Sequence, residues 1–297
     1  MQVISKNAFS LCAIAAALML SACGGAEKAA EPTAPASGAT ASSTASTGGE
    51  QVYIVGSDAT YAPFEYQDDK GNVIGFSQEV MQAAADKAGI KVQFVNKPWE
   101  GIFETLNTGD SDVISSSVTI TDERKGQMDF SEPYFEATQM IAVNDAKGGD
   151  IKSFEDLKKG KHLISVQTGT TGDIVSQKLL GKDSTQIKRF ESMPLALKEL
   201  LASGVDASVG DNGVVQNFVT NNPDAKLRTI VDPTFEKEHY GFAVKKGRSD
   251  DLVKKINTGL AGIKSDGTYD KIYAKWFKAV PSSAAAPAAA SAASGAQ

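Results

Sequence analysis

The run Thr168, Gly169, Thr170, Thr171, Gly172 and Asp173 follows a strand-like stretch and opens a helix-like one. That order puts backbone amides at a positively polarised helix N-terminus, where a carboxylate can dock. The run lacks the Gly-Lys-Ser/Thr ending of a phosphate-binding loop, which argues against a nucleotide. Asp211 stands directly after the apolar strand-like residues Ala207–Gly210, so a sheet would deliver it at its carboxyl end; an Asp before Asn212 and Gly213 also reads as a turn residue. Ser116, Ser117 and Thr119 lie where the strand-like stretch Asp112–Val118 runs out. Their amides and hydroxyls can serve a carboxylate or an ammonium, or simply fill a loop. Arg124 carries a planar guanidinium able to make paired charge-assisted hydrogen bonds that Lys could not reproduce, or to pair on a helix surface with Asp122 or Glu123.

Other chemistries are excluded. The two cysteines, Cys12 and Cys23, fall within the first two dozen residues, so the body has no internal disulfide, thiol nucleophile or Cys-containing metal cluster. His162 and His239 are the only histidines and neither has a second His at ligand spacing, so no metal site is expected. There is no Gly-x-Ser-x-Gly elbow, and no cofactor is expected. A net charge of -6 and a pI near 5.1 leave no overall basic surface for nucleic acid.

The elements that must hold these residues occupy the middle of the chain. Residues 1–22 read as a signal peptide, with Lys6 in a weakly basic n-region and an apolar run from Ala8 to Leu20 that is short for a membrane span. Leu20, Ser21, Ala22 and Cys23 resemble a bacterial lipobox, which would make Cys23 the lipidated N-terminus; an ordinary secretory cleavage near Ala22 is the other reading. Residues 23–50 are rich in Ala, Ser, Thr, Gly, Pro and Glu, a composition that cannot bury enough apolar area to offset ordering entropy, and read as a tether. Residues 281–297 are similarly composed. Between them, strand-like and helix-like segments alternate: Val52–Val55, Phe76–Lys87, Val92–Val95, then a second series from Ser153. Ser249, with Asp250 and Asp251 in the first turn, is expected to cap a late helix. The pattern predicts an α/β fold of two lobes, each a mainly parallel sheet covered by helices. The expected lobes are 51–143 with 240–280, and 144–239, with the hinge crossings near Val143 and near Phe235–Tyr240 and a cleft at the carboxyl ends of the strands.

Specific strings then carry a resemblance: Asp58, Tyr61, Pro63, Phe64 and Glu65; Gly75 and Phe76; Thr119, Thr121, Asp122, Glu123 and Arg124; Asp129, Phe130, Ser131, Pro133 and Tyr134. Together with Gly267, Tyr269, Lys275, Trp276 and Phe277 they resemble the extracytoplasmic solute-binding proteins of polar amino-acid ABC importers, family 3, over essentially all of 51–280. The chain departs from the pattern at Ser77, where the family has an acid. The resemblance implies a two-lobed periplasmic-binding-protein-like fold that closes on a free amino acid and docks on a membrane permease.

It further implies that Arg124 clamps the ligand carboxylate, that Asp211 accepts from its ammonium, and that Tyr61 and Trp99 flank its side chain above Asp58. Ser116, Ser117, Thr119, Gln167, Thr170 and Thr171 complete the expected ligand set. An aromatic sandwich with a carboxylate suits a cation, and the string from Pro133 to Gln139 resembles the arginine/lysine/histidine-binding branch. Cystine or glutamine remains the alternative ligand, because Asp58 can equally accept a hydrogen bond. An enzyme of the dehydratase or lyase kind on the same scaffold, and a surface adhesin, are the competing function classes; nothing in the sequence demands either.

Overall fold

The computed structural model describes residues 51–277, which belong to one compact unit. The expected signal peptide, Cys23, the tether and the C-terminal tail lie outside the described residues. Among the described residues no helix is long and apolar enough to cross a membrane.

The chain opens with β1 (Val52–Ser57), then a small antiparallel sheet of β2 (Thr60–Tyr61), β3 (Glu65–Gln67) and β4 (Val73–Ile74). Helix α1 (Phe76–Ala88) follows and buries Phe76, Val80, Met81 and Ala84, spaced to form one apolar face. It stops at Gly89, whose left-handed backbone turns its amide back onto the last carbonyls. Next come β5 (Lys91–Asn96), α2 (Glu104–Thr108), β6 (Val113–Ile114), α3 (Asp122–Gln127) and β7 (Met128–Phe130). The second lobe holds β8 (Phe135–Asn144), α4 (Phe154–Lys159), β9 (Ile164–Gln167), α5 (Thr171–Leu180), β10 (Ile187–Phe190) and α6 (Met193–Leu201). It is completed by β11 (Ala207–Asp211), α7 (Asn212–Thr220), β12 (Leu227–Ile230) and β13 (Lys237–Tyr240). The chain then returns to the first lobe with β14 (Ala243–Lys245), α8 (Leu252–Ser265) and α9 (Thr268–Phe277).

The first sheet runs β5-β1-β6-β14-β7, with β5, β1 and β6 parallel and β14 antiparallel to both neighbours. The second runs β10-β9-β11-β8-β12, with β13 also on β8; β10, β9 and β11 are parallel and β8 is antiparallel. This is a two-lobed α/β arrangement of the periplasmic-binding-protein kind. In both lobes the parallel strands send their carboxyl ends toward the same cleft.

Three local expectations are corrected. The sequence boundary placed residues up to 143 in the first lobe, but β8 lies wholly in the second sheet, where Gln139 faces Asp211 and Val143 faces Ala207. Its residues from Gln139 to Asn144 are all buried, so their pattern carries no period that tells one sheet from the other. The first crossing instead lies between β7 and β8, while the second, between β13 and β14, falls just past Tyr240 beside its expected place, and the two crossings are bonded to each other. Tyr134 N donates to Tyr240 O at 2.9 Å and Ser131 N to Phe242 O at 2.9 Å. Second, only Val113–Ile114 of the expected strand Asp112–Val118 pairs in the sheet. Third, Ser249 does not cap α8: Asp251 holds that position, and Asp250 is taken by Arg248, whose Nε and Nη2 approach it at 2.6 Å while Nη2 also reaches Asp112 Oδ1 at 2.9 Å.

An apolar cluster in the second lobe joins Ile141, Val143, Leu157, Ile164, Val166 and Val209. A larger one begins between α1 and α8 and continues across the hinge, where Phe64 meets Phe135 and Tyr240 edge-on at 4.8 and 5.4 Å. Gly213 on α7 makes that approach possible, since a Cβ there would stand 2.6 Å from the Phe64 ring.

Candidate functional site

Each wall of the cleft is built from residues placed just beyond strand ends. Asp58 follows β1 and Trp99 lies past β5; Ser116, Ser117 and Thr119 lie past β6. Ser117 takes a left-handed backbone, φ 47°, which turns the chain sharply at the pocket edge. Thr121 caps α3 by accepting from Arg124 N at 3.2 Å, which sets the helix turn that carries Arg124. On the other side Gln167 ends β9, Thr170 caps α5, Thr171 opens it, and Asp211 ends β11. Gly172 lets that helix start lie against β11 and Gln139: a Cβ there would meet Val209 O and Gln139 Oε1 at 3.0 Å.

The structure brings Asp58, Tyr61, Trp99, Ser116, Ser117, Thr119, Arg124, Gln167, Thr170, Thr171 and Asp211 around one pocket. The two walls touch. Gln167 Nε2 donates to Asp58 Oδ2 at 3.1 Å, Trp99 Nε1 to Thr168 O at 3.1 Å, and Arg124 Nη2 to Gly169 O at 3.3 Å. The Tyr61 hydroxyl lies close enough to Asp211 for each to influence the other's proton.

Arg124 is 8 % exposed, and among the described residues it forms no ion pair. Its guanidinium carbon sits 5.7 Å from the centre of the Trp99 ring and 5.4 Å from that of Phe103, and Nη1 donates to Thr119 O at 2.9 Å. A buried cation stabilised by rings and carbonyls keeps further N–H groups of its fork for an incoming carboxylate.

Asp211 is 4 % exposed. It accepts from Gln139 Nε2 at 2.6 Å and from the Tyr240 hydroxyl at 2.5 Å. Burial, reinforced by the negative charge of Glu238, pushes its pKa up to about 6 despite those bonds. Burial likewise raises Asp58, against the opposing effect of hydrogen bonds from Thr60 and Gln167, and lowers Arg124. Tyr61 and Tyr240 are held well above the ordinary phenol value, by burial first and the Asp211 charge second. Behind the pocket Glu65 is fully buried, and neither carboxyl oxygen has a partner in hydrogen-bond geometry. Burial keeps it protonated well above the usual carboxylate range, with the Ser77 and Ser117 hydroxyls nearby opposing the shift.

Sequence reasoning missed four neighbours. In the sequence Gln139 stands out only as the end of a string and Tyr240 only at a hinge crossing, and Glu238 does not stand out at all. Phe103 was findable: it stands four residues after Trp99, helical spacing that puts two rings beside one cation. Among the described residues no three His, Cys, Asp or Glu side chains are grouped to hold a metal ion.

Two lobes, a cleft at the strand ends, a buried guanidinium in one wall and a buried acid in the other define a binding protein for a small zwitterionic solute. The family model for bacterial extracellular solute-binding proteins, family 3, matches residues 53–279, and the chain belongs to that family. A probable histidine-binding protein from Neisseria gonorrhoeae is 47 % identical over 261 residues, covering 88 % of this chain and 91 % of the relative. A glutamine-binding protein of an ABC transporter from Bacillus subtilis, GlnH, is 37 % identical over 71 % of this chain and 75 % of its own length. The solved arginine-, lysine-, histidine-binding protein ArtJ of Geobacillus stearothermophilus superposes with a TM-score of 0.73 at 40 % identity, covering 78 % of this chain and 97 % of that one.

Proposed function

We propose that the pocket binds a free α-amino acid with a basic side chain, arginine, lysine or histidine, and that the closed protein delivers it to the membrane permease of an ABC importer. The observation that carries the amino-acid reading is the pairing of a buried Arg124 that lacks an acid with a buried Asp211 in the opposite wall of the same pocket. A zwitterion supplies the missing anion to one and a cation to the other. Its carboxylate takes the guanidinium fork together with amides at the start of α5, and its ammonium faces Asp211. The side chain then extends toward Asp58, Tyr61 and Trp99. The names of the relatives in Neisseria and Geobacillus support a basic ligand.

The ligand stabilises the closed form because it contacts both lobes, and no covalent step is involved. We also assign Cys23 as the lipid-bearing residue that anchors the chain at the outer face of a membrane. A Cys23→Ser chain would then leave the membrane fraction.

The test of the ligand is a thermal-shift panel of the twenty amino acids with ornithine and cystine, followed by calorimetry. The expected result is the largest shift with arginine, lysine or histidine, recovered unchanged by NMR. A preference for glutamine or cystine would overturn the basic-ligand part, and conversion of the ligand would overturn the binding-only part.

A further inference from the structure

Glu238 stands on β13, beside the hinge crossing, and binds groups from both walls. Its Oε2 accepts from Thr119 Oγ1 of the first lobe at 2.8 Å and from Thr171 Oγ1 of the second at 2.8 Å. Its Oε1 accepts from Gln139 Nε2 at 2.9 Å, and the same amide nitrogen reaches Asp211 Oδ1 at 2.6 Å. Two residues further on, the Tyr240 hydroxyl donates to the other oxygen of Asp211.

A hydroxyl has one proton. Thr119 and Thr171 both give theirs to Glu238, so neither has a proton left for the pocket it lines; Thr171 Oγ1 also accepts from Gln139 Nε2 at 3.0 Å and keeps one lone pair free. They can then accept from an ammonium and cannot donate to a carboxylate.

We propose that Glu238 is a positioning residue of the ammonium subsite: by taking both threonine protons it makes Thr119 and Thr171 acceptors from the ligand ammonium, and it ties this choice to lobe closure. This rests on the amino-acid reading above and sharpens it, because the Thr119 hydroxyl is removed from the carboxylate contacts. The ionisable groups facing Asp211 are Glu238 and Tyr240 from β13, Tyr61 from β2, Glu65 from β3 and Arg124 from α3. Of these, Glu238 is the acid whose charge chiefly adds to burial in holding the Asp211 proton.

The experiment is calorimetry on the full chain, from pH 4.5 to 8.5, with whichever of L-arginine, L-lysine and L-histidine binds the wild type most tightly, and with its analogue lacking the α-ammonium. Wild-type affinity should fall about tenfold per pH unit below about 6, where Asp211 is protonated. Glu238→Gln should weaken the amino acid at pH 7.5 by tenfold or more and leave the deaminated analogue nearly unchanged. The acid limb should also move to lower pH, because Asp211 loses a neighbouring negative charge. Thr171→Val, which keeps the shape and removes the hydroxyl, should show the same selective loss, and Glu236→Gln, an exposed change, should show none. Equal losses for both ligands, or an unmoved acid limb with a folded Glu238→Gln protein, would overturn the assignment alone. Binding of none of the three amino acids would overturn the basic-ligand reading and the assignment with it.

Discussion

The two walls of the pocket solve different problems. The first-lobe wall holds an unpaired cation against aromatic rings, with Arg124 beside Trp99 and Phe103, and the buried Glu65 lies behind it. The second-lobe wall is a closed hydrogen-bond network in which Gln139, Thr171, Asp211 and Glu238 engage one another. The difference separates strength from orientation. In the proposed reading, strength comes from a charge that lacks a partner until the ligand arrives, whereas the organised network fixes which end of the ligand lies where and couples binding to pH.

The largest break in this comparison is removal of either charge. Arg124→Ala and Asp211→Ala should each cost about 2–5 kcal/mol, roughly 30-fold to several-thousand-fold in affinity, because each leaves a ligand charge buried and unpaired. Calorimetry reads this directly, and wild-type affinity in either variant would remove that residue from the site. A narrower change is Asp58→Asn, which keeps the shape and deletes the charge facing the ligand side chain. Affinity for a basic amino acid should drop on the order of tenfold while that for glutamine holds or improves, since the charge-assisted bond is exchanged for a neutral one. Equal losses for both would assign Asp58 to the fold.

Gln167→Ala removes a bond between the walls and should cost about 0.5–1.5 kcal/mol of affinity, with a larger radius of gyration in the ligand-free protein by X-ray scattering. An unchanged radius would mean that this contact does not hold the lobes. The smallest effect concerns Glu65. Its folded pKa lies above its ordinary value, so the folded state keeps a proton that the unfolded chain gives up above about pH 4.3, and stability falls as pH rises through that window. Glu65→Gln should therefore raise Tm by about 2–4 °C at pH 8, corresponding to about 1 kcal/mol, and leave it nearly unchanged at pH 4. A lower Tm at both pH values would place Glu65 in an unrecognised hydrogen-bonded role.

The same contrast marks what could be read in the sequence. Helix α1, strand β5 and the approach of β11 to Asp211 were legible because periodicity and flanking turn residues are local signals. Arg124 and the loop around Thr170 were legible through motif strings. The second-lobe network was not, because Gln139 and Glu238 are 99 residues apart and meet only through the antiparallel pairing of β8 with β13. Strand β8 itself misled the lobe boundary: ten residues with a buried end carry no mark of which sheet will accept them. Ser77 departs from the family pattern but is not among the residues that line the pocket; its hydroxyl accepts from Tyr134 at 3.0 Å in the core.

The central claim is that opposite ends of one zwitterion are held by Arg124 and Asp211. Its most direct test is calorimetry of the wild type with the tightest-binding basic amino acid, set against the same molecule blocked as its Nα-acetyl derivative and as its carboxamide. The account predicts tight binding of the free amino acid and a loss of at least 30-fold with either block, the size expected for about 2 kcal/mol. Binding of either blocked form as tightly as the free amino acid would contradict it.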